Sequence, residues 1–358
     1  MTQRIGVALS GGADSAIAAS LLRSRGRHVL GVHLLMTRSN EAVAHAENAR
    51  LVASRLGIDF ELLDIADTFA AKVIAPFCQE YAGGATPNPC VTCNRDIKFG
   101  LLLRFLLARG VEKLATGHYA RITAQGDRYL LQRAVDLRAD QSYFLYALPA
   151  SSLPYLEMPL GEMSHSEVKA LASQQGLVHS KASQDICFIG GRDYRDFVAE
   201  RAQASPGDIV DADGLVLGHH RGLPFYTVGQ RHGLGLALGA PRYVIHLDPR
   251  LNRIVVGDKE SLMARSATLR HLTWLVDPPS DNELLVHARA RYRARGTAAR
   301  VLLRQDQALV HFAEPQRAVA PGQSIVFYDG DTVRGGGTIV ASHREVADDE
   351  TNRSPDKR

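Results

Sequence analysis

The hydrophobic pattern of this chain changes its period part-way along, and that change restricts the possible folds. Up to about residue 193, short apolar runs alternate with stretches whose apolar residues have helical spacing. Such alternation is typical of parallel strands joined by crossover helices. From about residue 207 onward, glycine and proline recur and short strand-like runs follow one another. Alternation at period two over residues 268–342 favours a small β-barrel or sandwich.

The sequence therefore predicts an α/β fold, with an N-terminal doubly wound parallel sheet, a small central domain and a C-terminal β-barrel. At roughly 100–200 residues per domain, a chain of 358 residues has room for two or three domains. We expect an N-terminal domain over residues 1–195, a central domain over 196–267 and the barrel over 268–345. Residues 346–358 are polar and aperiodic, so we expect a flexible tail there.

Charge and apolar content exclude several classes of protein. Lysine and arginine total 42 and aspartate and glutamate 38, so the net charge of +4 does not by itself indicate a nucleic-acid partner. No apolar run approaches the ~18–20 residues that a membrane helix needs. The N-terminus also lacks the pattern of a secretory signal. We therefore expect a cytoplasmic protein without membrane contact.

A glycine-rich turn, Ser10-Gly11-Gly12-Ala13-Asp14-Ser15, follows the first predicted strand and precedes the first predicted helix. Two glycines let the backbone approach an anion closely, and a helix start presents free N–H groups. The hydroxyls of Ser10 and Ser15 add two donors. The turn therefore predicts a phosphate site, with a plain strand-to-helix turn as the alternative. No lysine follows the glycines, so this is not the GxxxxGK[ST] loop.

Cys90 and Cys93 form a CxxC pair, and Cys187 follows much later. Four cysteines in this length exclude a disulfide scaffold. Cys93 stands just before a predicted helix with Arg95 and Lys98 close by, and such surroundings lower a thiol pKa and favour the reactive thiolate. Half of a zinc site, nucleophilic or redox chemistry, and an iron–sulfur cluster on three thiolates are the alternatives. Spacing alone does not separate the last two.

An arginine-rich window with no acidic residue lies between Glu283 and Asp306. Alternate arginines at positions 289, 291, 293 and 295 would line one face of a strand. Guanidinium groups suit phosphates, and the neighbouring Tyr292 suits stacking on a base or sugar. The window therefore favours binding of an RNA backbone by the C-terminal β-domain, with a solvated strand face as the alternative.

Eight short strings occur in a fixed order along the chain, at residues 10–15 (SGGADS), 86–90 (TPNPC), 93–99 (CNRDIKF), 115–119 (ATGHY), 140–146 (DQSYFLY), 186–190 (ICFIG), 227–231 (TVGQR) and 321–328 (PGQSIVFY). The first resembles the PP-loop of ATP pyrophosphatases, whose fold is adenine nucleotide alpha hydrolase-like. Together the strings resemble the tRNA-specific 2-thiouridylase (MnmA) family from the first strand to about residue 339.

The resemblance implies a sulfurtransferase that uses ATP and Mg²⁺. ATP would adenylate the C2 oxygen of the wobble uridine in tRNA. A persulfide on Cys187, delivered by a sulfur-relay protein, would supply sulfur. Cys93 would act as nucleophile and form a disulfide with Cys187, leaving 2-thiouridine, AMP and pyrophosphate. We also expect a monomer.

The resemblance also implies which residues form the site. Those expected at ATP are Ala8, Leu9, Ser10, Gly11, Gly12, Ala13, Asp14, Ser15, Leu34 and Gly117, with Asp14 also helping to hold Mg²⁺ at the pyrophosphate. Those expected at tRNA or its target base are Asn88, Pro89, Cys90, His118, Ala139, Asp140, Gln141, Arg291, Tyr292 and Gln323.

Two alternatives stay open at this point. Many family members carry Asp where this chain has Cys90, so the chain has three thiols, Cys90, Cys93 and Cys187, that suit a [4Fe-4S] cluster. The other alternative is a PP-loop amide ligase acting on a small molecule. A ligase has no need of paired thiols or of an arginine-rich β-domain, so these features count against it.

Overall fold

The computed structural model describes residues 3–177, 186–202 and 204–345. The expected tail, residues 346–358, lies outside the described residues. Within the described part of the chain, no helix is both long and apolar enough to cross a membrane.

The helices are α1 (Ala13–Ser24), α2 (Asn40–Leu56), α3 (Ala66–Phe69), α4 (Ala75–Ala82), α5 (Pro89–Thr92), α6 (Leu103–Leu107), α7 (His165–Gln174) and α8 (Tyr194–Ala199). Short 3₁₀-helices span Ser142–Leu145, Ala150–Tyr155, Leu223–Phe225 and Glu260–Leu262. The strands are β1 (Arg4–Ala8), β2 (His28–Leu35), β3 (Asp59–Asp64), β4 (Lys113–Ala115), β5 (Ala120–Gln125), β6 (Arg128–Arg133), β7 (Leu156–Glu157), β8 (Gly207–Val210), β9 (Val216–His220), β10 (Tyr243–Asp248), β11 (Arg253–Gly257), β12 (Met263–Trp274), β13 (Glu283–Arg289), β14 (Thr297–Arg304), β15 (Gln307–Arg317), β16 (Ser324–Asp329) and β17 (Thr332–His343).

Within the described ranges, two of the helices contain a π-helical segment. Ala70–Ile74 joins α3 and α4 into one continuous helix, and Cys93–Leu102 joins α5 and α6. Turns with i→i+5 hydrogen bonds are rare and often lie at functional sites.

The N-terminal sheet is parallel, with strand order β3-β2-β1-β4-β7. Ile5, Val7 and Val32 are fully buried because helices cover both faces. The direction of winding reverses between β1 and β4, and the carboxyl ends of strands at such a reversal border a crevice. The glycine-rich turn follows β1 and the 116–118 segment follows β4, so both meet there.

The C-terminal barrel has the strand order β12-β15-β14-β13-β16-β17 and closes through pairing of β12 with β17. Alternate apolar side chains such as Val301, Val310 and Phe327 fill its interior. The central region is a four-stranded sheet, β10-β11-β8-β9, with a core of its own. The predicted fold class is therefore confirmed, while the boundaries at 195, 267 and 345 stay predictions.

The predicted row of arginines on one strand face is wrong. Strand β13 ends at Arg289, and Ala288 already pairs with Thr297 on β14. Residues 290–296 therefore form the loop of the hairpin, in which the Ala294 N–H donates to the Arg291 carbonyl at 3.1 Å. Arginines in such a loop do not share one face of a strand.

A hairpin that the sequence analysis missed joins the two halves of the molecule. Strands β5 and β6 lie within the first half of the chain but extend the barrel sheet, through the pair Gln132 and Thr332. A buried bond from the Tyr143 hydroxyl to the Ser324 carbonyl, at 2.8 Å, lies alongside. The N-terminal domain and the barrel therefore share one hydrogen-bonded sheet.

Candidate functional site

A cavity of about 720 Å³ lies at the crevice between β1 and β4. Its walls come from the glycine-rich turn, the helix after Asn88, the 116–118 segment and the segment around Cys187. The expected site residues that line it are Ala8, Leu9, Ser10, Asp14, Ser15, Leu34, Pro89, Cys90, Cys93, Gly117, His118, Gln141 and Cys187. The expected residues that do not line it are Gly11, Gly12, Ala13, Asn88, Ala139, Asp140, Arg291, Tyr292 and Gln323.

The glycine-rich turn is held by its own serines. Ser15 Oγ accepts the Ser10 N–H at 3.1 Å and donates to the Gly12 carbonyl at 3.0 Å. Among the described residues, the N–H groups of Gly11, Ala13 and Asp14 donate to no protein acceptor. These free donors lie at the positive end of α1, which is the geometry that binds a phosphate group.

Two positions, one in the turn and one packed against it, have room only for glycine because neighbouring backbone atoms lie too close for a Cβ. Gly11 has φ of 84°, and a Cβ there would lie 2.6 Å from the His45 carbonyl oxygen. A Cβ on Gly117 would lie 2.7 Å from the Ser15 backbone nitrogen. The segment after β4 therefore packs directly on the loop backbone, and the expected contact of Gly117 with ATP stays a prediction.

Asp14 is held in place by a tyrosine that the sequence analysis did not single out. The Tyr119 hydroxyl donates to Asp14 Oδ1 at 2.9 Å. Burial and the neighbouring Asp14 charge raise the pKa of Tyr119, so it stays a neutral donor. Asp14 lines the cavity and belongs to the turn that carries the free N–H groups, and a carboxylate there fits a phosphate-bound Mg²⁺.

The three thiols of the site are free and lie on the cavity wall, Cys90 and Cys187 exposed and Cys93 only 7% exposed. The expectation of a lowered pKa is wrong for this arrangement. Desolvation by the surrounding protein atoms raises the pKa of all three sulfurs, although Cys90 and Cys187 retain solvent-accessible surface; the pKa of Cys93 rises to about 12, and the nearby Lys98 charge opposes this only in part.

The helix also begins earlier than the sequence predicted, so its positive end does not oppose the effect of burial on Cys93. The side chain of Asn88 accepts the Cys90 N–H at 3.2 Å, and the helix begins at Pro89. Cys93 is therefore beyond the first turn, where the helix dipole no longer favours a thiolate. Arg95 is held by Asp96 at 2.8 Å, so its charge is largely neutralised.

The thiols do not fit an iron–sulfur cluster in this arrangement. Among the described residues, no group of three or more His, Cys, Asp or Glu side chains is placed to hold a metal ion. Three convergent thiolates are the minimum donor set for a cluster with one open iron. We therefore derive no step through a cluster.

His118 lines the cavity as a neutral group. Its Nδ1 is hydrogen-bonded to the Thr116 hydroxyl at 2.8 Å, and its ring lies 5.7 Å from that of Phe99. Burial, and then the Lys98 charge, lower its pKa well below the usual value. A neutral imidazole at this place suits hydrogen bonding to a base.

Asp140 and Arg289 form a buried ion pair at 3.3 Å, which links the N-terminal domain to the barrel. Asp140 is 2% exposed and also accepts bonds from the Ala134 N–H and from the Ser142 N–H and hydroxyl. The carboxylate is therefore fully engaged within the protein. Its expected contact with tRNA stays a prediction, and its contacts here are structural.

Tyr292 and Gln323 also make contacts within the protein. The Tyr292 ring lies 4.4 Å from that of Phe144. The Gln323 amide donates to the Thr86 carbonyl at 2.7 Å, two residues before Asn88. Arg291 is exposed on the hairpin loop. The predicted contacts of these residues with tRNA stay predictions.

The cavity also contains groups that sequence reasoning missed. Lys98, Arg192 and Arg201 are the basic side chains on its wall. The two arginines follow Cys187 by five and fourteen residues. Basic residues so close to a cysteine in the sequence are the pattern that could have identified them as cavity residues. In the sequence, Lys98 stands out only through its closeness to Cys93.

Three family models match successive parts of the chain. They are a tRNA methyl transferase HUP domain over residues 3–191, a tRNA methyl transferase PRC-barrel domain over residues 195–258 and an aminomethyltransferase beta-barrel domain over residues 264–339. The order of these models is the order of the parallel sheet, the central sheet and the barrel.

Curated relatives match along almost the whole chain. The tRNA-specific 2-thiouridylase MnmA of Moorella thermoacetica is 45% identical over 350 residues, 93% of this chain and 98% of that protein. The MnmA of Desulforudis audaxviator is 43% identical, over 95% of this chain and 99% of its own. A solved structure, the U34-tRNA thiolase NcsA of Methanococcus maripaludis with its [4Fe-4S] cluster, shares 18% identity at a TM-score of 0.36, over 55% of this chain and 63% of its own. That likeness is too slight to carry an argument, whereas the MnmA matches are decisive: the chain belongs to the tRNA-specific 2-thiouridylase (MnmA) family.

Proposed function

We propose that the chain is a tRNA-uridine 2-sulfurtransferase, which uses ATP and Mg²⁺ to replace the C2 oxygen of the wobble uridine by sulfur. One observation carries this proposal: Ser10, Asp14 and Ser15 of the glycine-rich turn line the same cavity as three thiols, Cys90, Cys93 and Cys187. ATP activates the oxygen that is bonded to C2 of the uridine, and sulfur then attacks that same carbon. The groups that bind ATP and the thiols that supply sulfur therefore have to reach the same space.

In the activation step, the uridine O2 attacks the α-phosphorus of ATP and the bond to pyrophosphate breaks. The free N–H groups of Gly11, Ala13 and Asp14 and the dipole of α1 stabilise the phosphate charge. The Asp14 carboxylate, held by Tyr119, would help to hold Mg²⁺, which would neutralise charge on the leaving pyrophosphate. Adenylation turns a poor leaving group into AMP.

In the sulfur step, the terminal sulfur of a Cys187 persulfide forms a bond to C2, and the bond from C2 to AMP breaks. The Cys93 thiolate then attacks the Cys187 sulfur, and the electron pair of the broken S–S bond stays on the transferred sulfur. The products are 2-thiouridine and a disulfide between Cys93 and Cys187. A thiol reductant has to reduce that disulfide before the next turnover.

We place the target base against the Asn88-Pro89-Cys90 segment, with His118 and Gln141 nearby. Pro89, Cys90, His118 and Gln141 line the cavity. The tRNA body would then extend toward the barrel, where Arg291 is exposed on its loop. This side of the tRNA site would be shaped by Ala139, Asp140, Tyr292 and Gln323. Of these, Asp140, Tyr292 and Gln323 would act through their contacts within the protein.

The proposal includes a persulfide-donating sulfur-relay protein as partner, a monomeric enzyme and a cytoplasmic location. It also retains the predicted division of the chain into three domains, over residues 1–195, 196–267 and 268–345. The persulfide route is preferred to a cluster because the donor set of the described residues does not form a ligand group.

The descriptions of two family models name methyl transfer instead. Methyl transfer has no use for a phosphate-binding loop next to paired thiols, so the cavity favours thiolation. The MnmA relatives, which match over more of the chain, are named as thiouridylases.

The test is a reaction of the purified chain with ATP, Mg²⁺, a persulfide donor and unmodified tRNA. We expect AMP and 2-thiouridine in equal amounts. Cys187→Ser should form no 2-thiouridine, and Cys78→Ser, which alters a buried cysteine outside the cavity, serves as its control. AMP release that needs a small-molecule acceptor, with tRNA unchanged, would favour an amide ligase.

A further inference from the structure

The π-helical segment Cys93–Leu102 decides which side chains share a face with Cys93. Each residue of an α-helix turns the chain by about 100°, so Lys98 would be rotated by about 140° from Cys93. Hydrogen bonds from i to i+5 instead place Lys98 roughly one turn beyond Cys93, on the same side. Both residues line the cavity.

Gly100 permits this geometry. A Cβ built on Gly100 would lie 2.7 Å from the carbonyl oxygen of Arg95, five residues earlier. Five residues is the spacing of the π-helical bond, so a side chain at position 100 would press on the turn itself. The glycine thus helps to keep Lys98 on the cavity side of the helix.

Lys98 has no partner among the residues that the structure describes. Throughout residues 3–177, 186–202 and 204–345, no carboxylate lies within ion-pair distance of its ammonium group and it makes no hydrogen bond. Its neighbour Arg95, by contrast, is paired with Asp96 at 2.8 Å. Lys98 is half-buried, and a partly desolvated cation without a partner is unfavourable unless a ligand or reacting group uses it.

Three thiols and one neutral imidazole line the cavity together with Lys98. Its charge opposes the burial that raises the pKa of Cys90, Cys93 and Cys187. His118 is kept neutral by burial and by the same charge, so it does not compete with Lys98 as a cation.

The acidic neighbours act against the thiolates, while Arg192 and Arg201 are further cations on the cavity wall. Asp96 raises the pKa of Cys93, and Glu41 raises that of Cys187. Lys98 lowers the pKa of both Cys93 and Cys187, and it lines the same cavity as they do.

We propose that Lys98 is a positioning residue for sulfur transfer: its ammonium group stabilises anionic sulfur at Cys93 and Cys187, and the π-helical turn that Gly100 permits brings it there. The role in catalysis rests on the proposed function. The effect on the thiols rests on the cavity alone and is measurable without ATP or tRNA.

The test compares the pH dependence of iodoacetamide labelling in wild type, Lys98→Met, Lys98→Arg and Lys72→Met. Peptide mass mapping reports each cysteine separately. We expect Lys98→Met to raise the labelling midpoint of Cys187 by roughly one pH unit, as loss of a close opposite charge does. Lys98→Arg should restore the wild-type midpoint. Lys72 is exposed and does not line the cavity, so Lys72→Met should leave it unchanged.

Gly100→Ala is expected to move the midpoint in the same direction as Lys98→Met, because closing the turn rotates Lys98 away. Circular dichroism checks that each variant is folded. A folded Lys98→Met with the wild-type midpoint would overturn the proposal, and a folded Gly100→Ala with that midpoint would overturn the part played by the π-turn. A shifted midpoint in a chain that does not thiolate tRNA would reject the proposed function alone.

Discussion

The side-chain amide of Gln323 in the barrel donates to the backbone carbonyl of Thr86 at 2.7 Å, across 237 residues of sequence. The Thr86 N–H in turn donates to the Pro321 carbonyl at 2.8 Å. Thr86 lies two residues before Asn88, which caps the helix that carries Cys93. The barrel therefore fixes the start of the thiol-bearing helix.

Gln323→Leu should remove the hydrogen bond to the Thr86 carbonyl while keeping the volume of the side chain similar. We expect a loss of roughly 1 kcal/mol in unfolding free energy, the usual value of one hydrogen bond, and a lower rate of thiolation. Urea unfolding and single-turnover thiolation measure the two effects. A fall in tRNA affinity as large as the fall in rate would show instead that Gln323 acts by direct contact.

Gly117→Ala should abolish ATP binding with little effect on the fold. The new Cβ would lie 2.7 Å from the Ser15 nitrogen and force the glycine-rich turn out of position. Gly239→Ala is the matched control, because a Cβ there meets nothing within 4 Å. Equilibrium binding of ATP compares the two, and equal affinities would contradict the packing described here.

Asp140→Ala should destabilise the protein by about 3–5 kcal/mol, because it leaves the largely buried Arg289 without its partner. Glu283→Gln, which breaks the exposed pair with Arg300, should have little effect. Urea unfolding of both variants provides the comparison. Similar small losses in both would mean that the Asp140–Arg289 pair does not hold the domains together.

Burial of Cys93 should make its contribution to stability depend on alkaline pH. Its pKa rises from 9.0 in the unfolded chain to about 12 in the folded one, so the folded state favours the protonated thiol. The contribution is fully present below pH 9 and is lost as the pH rises toward 12. The difference in unfolding free energy between wild type and Cys93→Ala should therefore shrink over that range. A constant difference would mean that the thiol is not buried.

Arg291→Ala should weaken tRNA binding and lower the salt dependence of the affinity by about one phosphate contact. Arg291 is exposed on the loop between β13 and β14. Arg27→Ala is the control, since Arg27 is exposed before β2, at the end of the sheet away from the cavity. Binding measured at several salt concentrations tests this, and equal slopes in both variants would remove Arg291 from the interface.

The elements with clear periodicity were predictable from the sequence. The buried strand at β1, the glycine-rich turn and the amphipathic helix α2, ending at Gly57 in the left-handed conformation, follow from local patterns. The convergence of Cys93 and Cys187 on one cavity followed only from the family resemblance, because spacing in the sequence carries no information on distance.

Two features depended on tertiary structure and were not predictable. Alternation continues through Arg289 to Arg295, but the hairpin needs those residues for its loop, so pairing between β13 and β14 overrides the local pattern. The position of Lys98 beside the thiols depends on a π-helical turn, which no simple periodicity indicates.

The most direct test of the account is a single turnover with radioactive sulfur loaded as a persulfide on Cys187. With ATP, Mg²⁺ and unmodified tRNA, we predict that one labelled sulfur per enzyme moves to C2 of the wobble uridine, one AMP forms, and Cys93 becomes disulfide-bonded to Cys187. Transfer of the label without ATP, or AMP formation with the label still on the protein, would contradict a single site for activation and sulfur transfer.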